Sequence, residues 1–384
     1  MKVLLAHNAY QHRGGEDSVV DDEVALLRGR GHEVELLTAS NDDITGMGRL
    51  DLVGRTLWSR PAAARVRERC AAFKPDVMHV HNSFPLLSPA IHWAAQESGV
   101  PVVQTLHNFR LLCPQAMLLR EGKVCEDCVG KLPLPGVVHA CYRGSAVQTT
   151  VLTGMLALHR SIGTWRRRVN RFIALTHFSR SKFIEGGLPA ERIVVKSNFA
   201  DIPAPIGHSR DGFLFVGRLS PEKGLDVLAG GATRAQLTVK VVGSGPMQPE
   251  LAAEPGLQLL GAMPIAQVLA QMHSAAALVM PSICYENFPR TLVEAWACGL
   301  PVIASRLGAM ADLIEDGVTG LLFNAGDPQA LATKLRWAVE HPEEMAAMGR
   351  RARVHYEMNY TAEHNLQQLM QIYGEAVSEG PRRD

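Results

Sequence analysis

Glu286 and Glu294 stand with seven residues between them in CYENFPRTLVEAWACGLPVIAS, residues 284–305. Carboxylates repel phosphate but accept hydrogen bonds from hydroxyls, so one could hold a sugar and the other a ribose on either side of a diphosphate. Pro289 fits the first turn of a helix, where its missing N–H costs nothing. Glu286 then lies in the loop before that helix and Glu294 more than one turn inside it. The N–H groups of Arg290, Thr291 and Leu292 would face outward as an anion site. A bare pair at this spacing is ordinarily two solvated helix carboxylates; the flanking residues change that. In FLFVGRLSPEKGLDVL, residues 213–228, a buried strand ends at Gly217, and Arg218 and Lys223 follow in a loop. An Arg fork and a Lys point charge suit the oxygens of a nucleoside diphosphate, and would stabilise charge on a departing diphosphate. Standing alone, the loop reads equally as surface with ordinary salt bridges.

Other positions carry weaker signals. VVGSGP at 241–246 is a further strand-end turn, containing Gly243. In HRGGED at 12–17, Gly14 and Gly15 let the backbone approach a phosphate or sugar closely. The pattern is not G-x-G-x-x-G, so a nicotinamide cofactor is not expected. QTLHN at 104–108 puts His107 at the carboxyl end of a strand, where a lone His is more often structural. His7, His79 and His81 also lie near strand ends and are assigned no role. Cys113, Cys125, Cys128 and Cys141 are spaced C-x11-C-x2-C-x12-C, which suits a tetrahedral thiolate zinc. The segment between them is rich in Gly, Pro and charge; the alternative is four unrelated thiols in a long loop.

The elements that must position these residues alternate. VLLA at 3–6, a helix near 17–30, EVELLT at 33–38, DVMHV at 76–80, VPVVQTL at 100–106, RFIALT at 171–176 and RIVVKSN at 192–198 form a first series. FLFVG at 213–217, LTVKVVG at 237–243, LQLLG at 257–261, ALVMPS at 277–282, PVIAS at 301–305 and GLLF at 320–323 form a second, with helices at 289–298 and 328–340 among them. Strands alternating with helices imply βαβ units and parallel, doubly wound sheets. The reading is α/β: two Rossmann-like domains, 1–200 and 201–359, joined by a Pro- and Gly-rich linker at 201–211 and facing across a cleft. Open α/β sheets bind ligands at the carboxyl ends of their strands. A Cys-rich insertion occupies 113–141, and the tail breaks near Asn359-Tyr360-Thr361, its last helix, 360–380, packing back on the first domain.

Composition excludes other classes. With 47% apolar and 20% charged residues the chain is neither disordered nor fibrous. A net charge of +1 argues against a nucleic-acid binder, which carries a broad basic excess. The opening MKVLLAHNAY reads as a strand rather than a signal peptide, so a cytoplasmic protein with reduced cysteines is expected.

These motifs together resemble one family. GRLSPEKG, PS-x3-EN-x6-EA-x-ACG-x-PVIAS, GVTGLLF at 317–323 and the N-terminal Gly-Gly turn are similar to the retaining nucleotide-sugar glycosyltransferases of GT-B fold, glycosyltransferase family 4 type. The resemblance covers nearly the whole chain. It implies that Arg218 and Lys223 bind the donor diphosphate, Glu286 the sugar hydroxyls and Glu294 the ribose. Gly15, Gly243, Asn287, Phe288, Arg290 and Thr291 would complete the donor site, partly through backbone N–H groups. Gly14, Gly15 and His107 would border the acceptor, with His107 a hydrogen-bonding contact beside the reacting sugar. ENFP stands here where many relatives have EGFG; Pro289 donates no N–H, so the phosphate contact falls to its neighbours. The implied activity is transfer of a hexose-type sugar to a lipid-linked or saccharide acceptor in bacterial polysaccharide or envelope glycan synthesis. His107, Glu286, Arg218 and Lys223 would be the catalytic set. The leaving diphosphate can take the acceptor's proton, and the two cations replace a divalent ion, so no catalytic metal is expected.

Two other classes share such a fold: a nucleotide-sugar epimerase, and a protein that binds nucleotide sugar without turnover. Finally, Arg160, Arg166, Arg167, Arg168 and Arg171 fall in an acid-free stretch, interleaved with Ile162, Trp165, Val169 and Phe172. That pattern suggests an anionic membrane surface as partner, and a peripheral position on the inner face of the membrane. The other reading is a core face with solvated arginines.

Overall fold

The computed structural model describes residues 1–11, 14–203 and 210–382; of the expected linker, 204–209 lie outside the described residues. In chain order the strands are β1 (Lys2–Ala9), β2 (Glu33–Ser40), β3 (Val77–Asn82), β4 (Val102–Leu106), the short pair β5 (Leu119–Arg120) and β6 (Lys123–Val124), β7 (Arg171–Ala174), β8 (Ile193–Val195), β9 (Phe213–Val216), β10 (Val239–Val242), β11 (Leu257–Gly261), β12 (Ala277–Met280), β13 (Val302–Ser305) and β14 (Gly320–Phe323). The chain divides into two compact units. One comprises 1–117, 126–197 and 365–384; the other comprises 118–125 and 198–364. The division thus falls three residues before 200, and the last helix, Ala362–Glu379, joins the first unit from Asn365 onward.

In the first unit six parallel strands run in the order β2-β1-β3-β4-β7-β8. Strands β3 and β4 are buried at every position, as near-continuous apolar runs covered on both faces must be. The strand order reverses between β1 and β3, which opens a crevice at their carboxyl ends. Polar residues break the apolar runs there: His7 and Asn8 on β1; His79, His81 and Asn82 on β3, all buried.

In the second unit the order is β11-β10-β9-β12-β13-β14, again all parallel, and the reversal falls between β9 and β12. Alternation along the strands sorts two cores onto the two faces. Leu214, Val242, Leu278, Met280, Val302 and Ala304 pack with Trp296 and Tyr356 on one face. Phe213, Phe215, Val241, Val279 and Ile303 pack with Leu228 and Leu331 on the other. The period of two along a strand produces this split, and a one-residue slip would exchange the faces. The tail forms helices Pro342–Asn359 and Ala362–Glu379, broken at Tyr360 and Thr361.

Candidate functional site

Where the strand order of the second unit reverses, the loops after β9 and β12 bring Lys223 and Glu286 together. Lys223 follows β9 in the turn Pro221–Lys223, and Glu286 follows β12. The Lys223 Nζ donates to Glu286 Oε1 at 2.7 Å, and Ser282 Oγ donates to the same oxygen at 2.7 Å. Neither bond uses Glu286 Oε2. Burial alone would raise the Glu286 pKa, but Lys223 and Ser282 outweigh it and hold the carboxyl below its ordinary range. Burial would likewise lower Lys223; the Glu286 carboxylate more than offsets that, and the ammonium is held above its usual value. Both groups are charged across the neutral range.

Gly224 makes this approach possible. It sits at φ 68°, and a Cβ there would lie 2.0 Å from the carbonyl oxygen of Pro281. Gly243, after β10, has φ 144°, and its Cβ would lie 1.9 Å from the Gly217 carbonyl. Both loops are therefore packed backbone to backbone, a closeness only glycine permits. Arg218 is exposed beside them, and among the described residues its side chain makes no hydrogen bond or ion pair. Its guanidinium stands beside a Lys223 already paired with Glu286, in a loop that also carries Glu222.

The helix after Glu286 spans Arg290–Ala297, with Pro289 as its N-cap rather than its first helical residue. The Leu292 N–H donates to the Pro289 carbonyl at 3.0 Å. The expected anion contact therefore narrows to the N–H groups of Arg290 and Thr291. Glu294 is buried one turn in, and its Oε1 accepts from Arg290 Nε at 2.9 Å. Asn287 is buried; Phe288 lies half-buried, its ring 6.2 Å from that of Tyr360. The structure thus groups Lys223, Gly224 and Glu286 directly, and sets Glu294 against Arg290.

The crevice of the first unit holds a buried hydrogen-bonded chain that sequence reasoning missed. Glu23 Oε1 lies 2.9 Å from His79 Nδ1 and 3.1 Å from His81 Nε2, and its Oε2 is 3.6 Å from Lys196 Nζ. Burial works against the Glu23 charge, but these three partners hold its pKa well below the ordinary value. His81 is pushed down to about 4, first by burial and then by His79. His107, at the end of β4, is held well below its ordinary value, again by burial first and then by His81. The tautomers follow. Glu23 only accepts, so His81 carries its proton on Nε2 and presents a bare Nδ1 to His107 Nε2, 2.9 Å away. His107 must donate there, which leaves its Nδ1 lone pair as an acceptor. His79 is also tied to Tyr373 OH at 2.7 Å and Thr105 Oγ1 at 2.8 Å. Gly14 and Gly15 lie at the start of helix Gly15–Gly29, and the His12 and Arg13 that precede them are outside the described residues.

Two expectations meet a different arrangement. Among the described residues the group of metal-type donors lying within 4.8 Å of one another is Glu23, His79 and His81. Cys113, Cys125, Cys128 and Cys141 form no such group and no disulfide; Cys113 and Cys128 are buried, Cys125 and Cys141 half-buried. Glu23, His79 and His81 spend their donor atoms on one another beside an ammonium, which disfavours a cation. In the basic stretch, Trp165, Val169 and Phe172 are buried, and the helix Thr164–Arg167 is a single turn followed by β7. Arg160 donates to the Leu111 carbonyl, Arg168 lies 4.2 Å above the Trp93 ring and Arg171 pairs with Glu375. Only Arg166 and Arg167 of the five are exposed, and three of the four interleaved apolar residues lie in the core. No helix of the described residues is long and apolar enough to cross a membrane.

Residues 14–198 match the family model described as "Glycosyl transferase 4-like domain", and residues 210–341 that described as "Glycosyl transferases group 1". The chain is 26% identical over 357 residues to a D-inositol 3-phosphate glycosyltransferase of Thermobispora bispora, covering 86% of this chain and 78% of that one. It is 26% identical over 412 residues to a phosphatidyl-myo-inositol mannosyltransferase of Mycobacterium leprae, covering 99% and 98%. Among solved structures, Anabaena HepE in complex with UDP has a TM-score of 0.68 at 21% identity, covering 97% of this chain and 99% of that one. Sucrose-phosphate synthase from Thermosynechococcus elongatus has a TM-score of 0.73 at 16% identity, covering 98% and 99%. The two structures share the two-Rossmann fold.

Proposed function

We propose that this chain, which belongs to the GT-B glycosyltransferases of the family 4 type, moves a hexose-type sugar from a nucleoside-diphosphate sugar to a lipid-linked or saccharide acceptor, with retention of configuration. The observation that carries the reading is the Lys223–Glu286 pair at the strand-order reversal of the second unit, held against the Gly224 backbone. Arg218 and Lys223 supply charge to the diphosphate and stabilise it as it leaves. Glu286 keeps Oε2 for a sugar hydroxyl, and Glu294 reaches the ribose. The N–H groups of Arg290 and Thr291 meet a phosphate. The departing diphosphate accepts the acceptor's proton on the same face, so no carboxylate nucleophile or divalent ion enters the scheme. Relatives named as an inositol-phosphate glycosyltransferase and a phosphatidylinositol mannosyltransferase support a polyol-containing or lipid-linked acceptor. His107 offers its bare Nδ1 to a hydroxyl in the first unit.

Incubating purified protein with a panel of nucleotide sugars, with and without saccharide and lipid-linked acceptors, tests this. Acceptor-dependent release of nucleoside diphosphate, with the anomeric configuration kept in the product, is expected. Isomerised donor without release would replace the reading with an epimerase, and binding without turnover would replace it with a nucleotide-sugar binding protein.

A further inference from the structure

His7 Nδ1 and Glu16 Oε1 are both buried side-chain atoms with no hydrogen-bond partner, and they lie 4.0 Å apart. Their side chains are 5% and 10% exposed. Leaving such atoms unsatisfied costs on the order of 1–3 kcal/mol each, so a pair facing one another calls for an occupant. At 4.0 Å they are too far apart to bond directly, but one oxygen can stand at about 2.8 Å from both. They sit at the carboxyl end of β1, beside the reversal of the first unit's sheet, where open α/β sheets take ligands.

The surrounding bonds fix which atom donates. His7 Nε2 lies 2.8 Å from Asp17 Oδ1, which also accepts from the Tyr10 N–H, while Asp17 Oδ2 accepts from the Gly14 N–H. Asp17 is therefore an acceptor only, His7 donates through Nε2, and its Nδ1 is a lone pair. Tyr10 OH and Asn108 Nδ2 both donate to Glu16 Oε2, at 2.9 and 3.5 Å. A proton on Glu16 accordingly belongs on Oε1, the unpartnered atom. We infer that Glu16 and His7 form a slot for one hydroxyl of a neutral polyol or sugar acceptor, the hydroxyl oxygen accepting from Glu16 Oε1–H and its proton pointing to His7 Nδ1. Glu16 is pushed up to about 8, chiefly by burial and then by Asp17, against the bonds from Tyr10 and Asn108 and the nearby Arg110. The carboxyl therefore keeps its proton at neutral pH. The slot rests on the glycosyltransferase reading for its ligand class, but its wiring lies wholly in the first unit.

The test uses the full chain with isotope-labelled histidine, titrated with myo-inositol and with the methyl α-glycosides of glucose and mannose. The His7 Nδ1 resonance should move saturably with at least one of them as the lone pair gains a hydrogen bond. Glu16→Gln keeps a donor at the same place and should bind comparably. Glu16→Met should bind about tenfold more weakly, the loss of one buried hydrogen bond. Should that variant not fold, pH supplies the second measurement: wild-type affinity should fall as pH rises through about 8, while the Gln variant stays level. No saturable shift with any of the three probes, or wild-type affinity in Glu16→Met, or a level pH profile in wild type, means that the slot holds only water. Calorimetry with UDP and GDP reads the second unit separately, so loss of nucleotide binding would strike the donor assignment and leave the slot to its own test.

Discussion

Replacing Lys223 by alanine removes the one cation that, among the described residues, touches Glu286 in the second unit's crevice. Its ammonium lies 2.7 Å from the carboxylate, with side-chain exposures of 28% and 13%. A charged hydrogen bond to diphosphate is worth about 1.5–3 kcal/mol, so UDP or GDP should bind roughly 10- to 150-fold more weakly. Stability should fall too. A fully buried pair broken on one side costs about 3–5 kcal/mol; with Lys223 over a quarter exposed and Ser282 still bonded to Glu286, about 1–3 kcal/mol is expected here. Lys223→Met combined with Glu286→Gln should regain most of the stability and none of the affinity. Glu286→Ala alone should spare nucleotide binding and reduce transfer, because its free oxygen serves a sugar hydroxyl. Arg218→Ala, at an exposed cation, should weaken binding without a change in melting temperature. Glu286 is held below its ordinary 4.5 and Lys223 above its ordinary 10.5. The pair's contribution is therefore lost only as pH falls through the lowered carboxyl value or rises through the raised ammonium value. The melting difference between wild type and Lys223→Ala should accordingly stay level across the neutral range. Calorimetry and thermal melts decide: unchanged nucleotide affinity in Lys223→Ala, or an equal loss in Glu286→Ala, refutes the division of labour.

Other measurements bear on separate parts of the molecule. Gly224→Ala places a Cβ 2.0 Å from the Pro281 carbonyl at φ 68°; nucleotide affinity should drop at least tenfold with a destabilisation above about 1 kcal/mol, and wild-type behaviour in both would dismiss the close-approach argument. Glu16 binds its proton more tightly folded, at about 8 against an ordinary 4.5, so native stability should decline as pH rises between those values; Glu16→Gln should melt higher than wild type above pH 8 by on the order of a few kcal/mol in stability, and parallel melting curves would count against the buried acid. Elemental analysis separates the two readings of the cysteines: four unrelated thiols predict well under one zinc per chain, whereas a thiolate cluster predicts about one. Exposed Arg166 and Arg167 predict at most weak, salt-sensitive flotation with anionic vesicles, abolished when both become Gln; salt-resistant flotation would require an inserted surface elsewhere.

What the sequence made legible and what it hid follow from where the partners lie. Most strands of both sheets were readable because they are short apolar runs bounded by Gly, Pro or polar residues, and burial on both faces keeps the central ones apolar. The donor loops were readable because their chemistry is local: Ser282 and Glu286 are four residues apart and Arg290 and Glu294 four more. Lys223 joins them from 63 residues away, yet it announced itself through its own strand-end glycines. The Leu292 N–H was expected to stand open and is instead taken by the Pro289 carbonyl, a bond made within the first turn that residue spacing alone does not display. The histidine chain offered no such local mark. Glu23 reaches His81 across 58 residues and Tyr373 reaches His79 across 294, contacts that exist only once the sheet order is set. One signal was nonetheless present. His7, Asn8, His79, His81 and Asn82 interrupt β1 and β3, two strands that are otherwise apolar, at the ends where the doubly wound fold reverses. A buried polar residue must be bonded or must await a ligand. In β3 every such group found a partner within the protein. In β1 one did not, and that unfilled lone pair on His7, facing an unfilled oxygen on Glu16, separates His7 from the structural histidines of β3.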